Sequence, residues 1–146
     1  MLFRSRPPSV EGVDPFDVIA DERRALADLL EGLSAEQLAT PSLCAGWSVR
    51  DVGAHLLIGP TATLREMGLA LIRARGRFDA AGDLLVRGRA SLSGAEIAAL
   101  LREHAASRFT PPTFDWHAPL ADLRLHGLDM TVPLGVELGQ IGRAHV

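Results

Sequence analysis

This chain of 146 residues predicts an all-α fold, four helices packed as a bundle, and three observations carry that prediction. Aromatic residues make up only 5% and tyrosine is absent, whereas strands favour aromatic and β-branched side chains. Alanine and leucine dominate the 47% of apolar residues, and both are strong helix formers. Apolar positions recur at helical spacing, and no segment alternates long enough to make a useful strand.

Each element has its own local justification. Residues 1–13, with Pro7, Pro8 and Gly12, lack periodicity and read as an irregular arm. A first helix is expected after Asp14, an N-cap residue followed by Pro15 at the first helical position. Its apolar stripe is Phe16, Ile19, Leu26, Leu30 and Leu33, with Gly32 near its end. Ser34 caps a short turn, SAEQL, before the loop TPSLCAGW. Ser48 with Asp51 forms a capping-box variant that opens a second helix, whose buried face is Val49, Val52, Leu56, Leu64, Met67 and Leu71. Gly59-Pro60 should kink it, because Pro60 removes a backbone donor. The stretch from Asp79 to Leu92 is weakly helical and carries Gly82 and Gly88. Ser93 begins the amphipathic third helix, SGAEIAALLREHAAS. After a loop with Thr110, Pro111, Pro112 and Thr113, a fourth helix runs from about Ala118 to Met130, with Pro119 in its first turn and VPLG closing it. Residues 14–135 thus read as one bundle domain and 136–146 as a tail.

Composition excludes several function classes. The length suits a single domain. A formal net charge of −3 offers no basic field for nucleic acid or an anionic membrane. The single cysteine, Cys44, makes neither an internal disulfide nor a thiolate metal cluster. There is no apolar run of about eighteen residues and no signal-peptide pattern, so a cytoplasmic protein is expected. All 15 basic residues are arginine, a usage that fits GC-rich coding. Both ends read as foreign to the gene. Leu2-Phe3-Arg4-Ser5 can be encoded by CTC-TTC-CGA-TCT, and Ile141 to Val146 by ATC-GGA-AGA-GCA-CAC-GTC. With the end of a CAG codon for Gln140, the second string contains AGATCGGAAGAGCAC, the reverse complement of GTGCTCTTCCGATCT, and it resembles a sequencing adapter. On that reading the natural protein continues past both ends, the tails lie outside the core, and His145 is no ligand.

Two helices carry the candidate chemistry. His55 follows Val52 by three residues and adjoins Leu56, which turns it toward the bundle interior. His126 lies four residues after Asp122, so the two project from one face with Cβ atoms roughly 5–6 Å apart. Leu123 and Met130 flank that face and make it the inward one. Two imidazoles and a carboxylate suit zinc or another divalent metal, and three protein ligands leave a fourth position for water or substrate. Spacing alone leaves other readings open. Buried histidines can be hydrogen-bonded core residues, an Asp/His pair can be a surface contact, and Asp129 competes for the same face.

Two longer segments bear a family resemblance. LCAGWSVRDVGAHLL, from Leu43 to Leu57, and PLADLRLHGLDMTVPLG, from Pro119 to Gly135, resemble the helix 2 and helix 4 signatures of the mycothiol-dependent maleylpyruvate isomerase family, within the DinB-like four-helix bundles. The resemblance spans roughly Asp14 to Gly135. It implies that His55, Asp122 and His126 bind zinc and that mycothiol takes the open position as a sulfur ligand. It further implies a thiolate that adds to an electrophile such as maleylpyruvate, giving isomerisation or S-transfer. The isomerase pattern has glutamate where this chain has Asp122, so both direct and water-mediated coordination by that shorter side chain are open. The partners implied are a small-molecule thiol and an electrophilic substrate. The alternatives are a non-enzymatic metal- or thiol-binding DinB-like domain, an inactive truncated fragment, and a metal-free bundle with core histidines.

The remaining residues have plainer readings. Arg50 and Arg124, nearest in sequence to the ligands, are candidates to meet a substrate carboxylate. Trp47 reads as a packing anchor, and Cys44 as a structural thiol with no activating neighbour or partner. His104 is expected to face solvent, and His117 to line a pocket mouth or cap the chain. Arginines 73, 75, 77, 87 and 89 read as solvated surface.

Overall fold

Side-chain caps open five of the eight helices among the described residues. In the computed structural model, which describes residues 12–138, Asp14 accepts from the Phe16 amide at 2.9 Å and opens α1, Pro15–Gly32, with Pro15 in its first turn. Ser34 and Gln37 make a reciprocal capping box on α2, Ala35–Ala39. Ser48 and Asp51 make another on α3, Val49–Leu56. The first eleven residues and residues 139–146, including both adapter-like ends and His145, lie outside the described residues.

The expected second helix is three pieces rather than one kinked rod. α3 ends at Leu56; α4, Ile58–Thr61, holds Pro60; and α5, Leu64–Arg73, restarts on a fresh cap from Thr63, which accepts from Glu66 N. Between them Ala62 is extended. Pro60 brings no amide to the ladder, and the Thr63 hydroxyl rewards a new start, so the chain breaks instead of bending. Leu64, expected in the core, is accordingly exposed, while Met67 and Leu71 pack on a small separate cluster of Ala70, Ala74, Ala81 and Leu85. That cluster joins α5 to α6, Phe78–Arg87, which turns the weakly helical stretch into a full helix. α7, Gly94–Glu103, starts at Ser93 as expected.

The last helix, α8, runs His117–Leu134, past the expected stop at Met130. Pro133 lies inside it and has no amide to give the Asp129 carbonyl one turn back. That carbonyl accepts instead from Leu43 N at 3.1 Å, which ties the Leu43–Trp47 loop to α8. Gly135, at φ 66°, then closes the helix, with Val136 N donating to Thr131 O.

Among the described residues the fold is all-helical, and the one extended pairing is an isolated bridge between Pro41 and Ser48. α1 packs against α7 and α8, and α3 packs against α6, α7 and α8. The largest fully buried side chains come from α1, α3, α7 and α8 and the residue just past α3: Ile19, Leu26 and Leu30; Val49 and Val52, with Leu57; Ile97 and Leu101; and Met130. Gly53 permits the α1–α3 approach, because a Cβ there would lie 3.0 Å from Leu30 Cδ1. No helix among the described residues is long and apolar enough to cross a membrane.

Leu30 is 1% exposed and sits in this core. Leu30→Ala should cost about 2–5 kcal/mol, read as a lowered midpoint in urea denaturation followed by circular dichroism. An unchanged midpoint would place Leu30 outside the cooperative core.

Candidate metal centre

The last turn of α3 carries His55, and the middle of α8 carries Asp122 and His126 one turn apart. Contact between these helices brings the three together. His55 Nε2 lies 3.4 Å from Asp122 Oδ1, and His126 Nε2 lies 3.2 Å from the same oxygen. One ligand-capable atom from each residue falls within 4.8 Å of the other two. Donors around a tetrahedral ion bound at about 2.0–2.1 Å stand roughly 3.4 Å apart, so the set fits such an ion without large movement. The shorter aspartate side chain is long enough to reach both imidazoles.

Three further contacts hold the rings. The His55 and His126 rings meet edge to face with centroids 4.5 Å apart, and the Trp47 ring lies 5.0 Å from His55. Trp47 is fixed in turn by its indole nitrogen, which donates to Asp83 Oδ1 at 2.9 Å. On the far side of His126, Nδ1 lies 3.0 Å from Asp129 Oδ2. A carboxylate behind a histidine fixes its tautomer and leaves the other nitrogen free to coordinate. Asp129 therefore does not compete for the point between His55 and Asp122; it stands behind His126.

Cys44 also differs from its expected isolation. Its Sγ donates to Asp129 Oδ2 at 3.1 Å and lies 3.6 Å from His126 Nδ1. Cys44, His126 and Asp129 thus make a second close group of possible ligands. Burial first, and then the Asp129 hydrogen bond and the nearby carboxylate charges, push the Cys44 thiol up to about 11. The thiol is a proton donor to Asp129 at neutral pH. Burial pushes the Asp122 carboxyl up, but hydrogen bonds to His126 and His55 outweigh it and hold Asp122 well below the usual carboxylate range. The Asp122 hydrogen bond, opposed by burial and helped by both aspartate charges, raises His126 above an ordinary histidine.

The arginines are arranged otherwise than their sequence positions suggest. Arg50 donates to the carbonyls of Arg89 and Leu92 and pairs with Asp51, while Arg124 pairs with Glu22 across to α1. Neither lines the cavity of about 510 Å³ beside His55 and Asp122; Arg23 does. Arg23 stands on the buried stripe between Ile19 and Leu26, and a charge at a core position was the signal that marked it. Arg89, expected to be solvated, pairs with Glu66 at 2.9 Å and donates to Leu85 O. His104 is half-buried at the C-terminal cap of α7 rather than fully solvent-facing. His117 is exposed, stacked on Trp116 and bonded to Asp115.

A family model described as the mycothiol maleylpyruvate isomerase N-terminal domain matches residues 19–111, well over half of the chain. The match contains His55 and stops short of α8, which carries Asp122 and His126. Neither the curated proteins nor the solved structures gave a match.

The hydrogen-bonded state of Cys44 has a direct consequence. In folded, metal-free protein at about pH 8, iodoacetamide should alkylate it about a hundredfold more slowly than an ordinary thiol, and the rate should climb as pH nears 11. A rate equal to that of a small free thiol at the same pH would contradict the Asp129 contact.

Proposed function

The chain belongs to the mycothiol maleylpyruvate isomerase N-terminal domain family, and from that premise we propose that it is a metal-dependent, thiol-using isomerase or S-transferase built on a DinB-like four-helix bundle. In this reading residues 14–135 form the bundle, with α1, α3, α7 and α8 as its principal helices. His55, Asp122 and His126 hold a divalent metal, zinc being the best match to two imidazoles and one carboxylate. The observation that carries the reading is the convergence of two imidazole nitrogens on one carboxylate oxygen at the wall of a cavity. A metal bound there supplies Lewis-acid activation of a thiol such as mycothiol, making thiolate available at neutral pH for attack on an electrophile.

The protein's own residues prepare that chemistry. Asp129 accepts from His126 Nδ1, which would hold the proton there and free Nε2 for a bound metal; without one, Nε2 donates to Asp122 Oδ1. Asp122 stays ionised because two histidines bond to it, and an ionised carboxylate is the ligand form. Trp47 packs beside His55 and limits its rotation. Cys44 donates to the same Asp129 oxygen, Oδ2, that faces His126 Nδ1, and so fixes that carboxylate against the ring. The cavity admits a small molecule beside the ligand set.

Metal analysis of protein purified without chelator tests the reading. One equivalent of zinc is expected; His126→Ala should abolish it with helicity retained, and Asp129→Asn should weaken it about 10–100-fold. Conjugation of a general electrophile should then require both the metal and mycothiol. Stoichiometric zinc in His126→Ala would refute the ligand assignment, and zinc without any thiol conjugation would leave a metal-binding domain rather than an enzyme.

A further inference from the structure

The cavity beside His55 and Asp122 is built unlike a site for a small, highly charged substrate. Met67 of α5, Phe78 at the start of α6, and Phe109 and Phe114 from the α7–α8 connection supply an apolar and aromatic wall. Among the described lining residues its one arginine is Arg23. Arg23 is 3% exposed, and its Nη1 donates to Ala105 O at 2.9 Å and Ser107 O at 2.8 Å. Among the described residues it has no carboxylate within ion-pair distance, and its Nε has no hydrogen-bond partner. Among the described residues the other buried side-chain nitrogen without a partner is His55 Nδ1. Both orphaned nitrogens therefore belong to residues that line this cavity. Buried polar atoms are rarely left unpaired; both nitrogens are shut off from solvent, so they mark these two residues as under-satisfied, and what the cavity offers an acid is the charge of Arg23.

We infer that the cavity receives a monocarboxylate with an aryl or branched-alkyl body, its acid group at the Arg23–His55 end and its body against Phe109 and Met67. The inference rests on the proposed metal reading for one point: with Asp122 engaged by a cation, Arg23 and the metal leave that end of the cavity positive. The rest follows from the wall itself. A second carboxylate would lie against phenyl rings with no cation to meet it, and burying an unpaired charge is costly. An apolar body gains instead from leaving water. Gly59 shapes the wall, because a Cβ there would stand 3.3 Å from Phe109 Cδ1 and push the ring away.

Calorimetric titration of the full chain, zinc-loaded and metal-free, with 4-phenylbutyrate, 4-phenylbutanol and maleate tests this. Zinc-loaded protein should bind 4-phenylbutyrate at one equivalent, about tenfold tighter than 4-phenylbutanol and at least about tenfold tighter than maleate. Phe109→Ala should weaken both phenyl compounds. Arg23→Met should remove the acid's advantage and leave 4-phenylbutanol unchanged, which also reports that the variant is folded; if it does not fold, the acid–alcohol comparison in the wild type carries the charge arm. Maleate binding as tightly as 4-phenylbutyrate, or Phe109→Ala leaving the phenyl compounds untouched, would overturn the inference. If zinc does not load, the metal reading fails, whereas 4-phenylbutanol binding to the metal-free protein still decides the nature of the wall.

Discussion

One carboxylate oxygen between two imidazoles is the constraint on which the rest of the site depends. Asp122 Oδ1 meets His126 Nε2 within α8 and His55 Nε2 from α3. The first contact needs only helical spacing, since residues four apart share a face. The second needs α3 and α8 to be packed in register, and that register comes from the apolar core: Val49 and Val52 on one helix, Leu123 and Met130 on the other. The polar group thus uses an alignment that burial of leucine, valine and methionine sets up. A hydrogen-bonded carboxylate that stays ionised is also what a cation site requires in its empty state.

A defect in α8 organises the other side of His126. Pro133 leaves the Asp129 carbonyl without its helical donor, and Leu43 N fills the place. That backbone bond brings the Leu43–Trp47 loop onto the helix, and with it Cys44 against the Asp129 carboxylate and Trp47 against His55. His126 is therefore held from both ends: Asp122 in front and Asp129 behind, the latter steadied by a protonated thiol. Asp122 and Asp129 on α8, Cys44 in the loop and His55 on α3 together set the orientation of one ring. Such outer contacts decide how well a ligand is pre-organised.

Local chemistry was legible in the sequence, and long-range chemistry was not. Asp14, Ser34, Ser48 and Ser93 cap the helices that their residue types suggest, because an N-cap is an interaction over three or four residues. The convergence of His55, Asp122 and His126 was legible from inward-facing periodicity together with the two signature segments, and the structure brings their ligand-capable atoms together. The break at Ala62 was hidden because Pro60 predicts disruption without saying whether the chain bends or restarts. The extension of α8 to Leu134 depends on the donor from Leu43, ninety residues away on the chain in round terms, which no local pattern reports. The Cys44–Asp129 contact was missed for the same reason, and Arg23, though marked by a charge on the buried stripe, hid its role because its carbonyl partners lie more than eighty residues on.

The two ligand groups share His126 but differ in one element, and that difference gives the most direct test. X-ray absorption at the zinc edge of the metal-loaded protein should show only nitrogen and oxygen neighbours at about 2.0–2.2 Å, from His55, His126, Asp122 and solvent. A sulfur neighbour at about 2.3 Å in protein free of added thiol would instead put the metal at Cys44 and Asp129, and would contradict the assignment of His55 and Asp122 as its ligands.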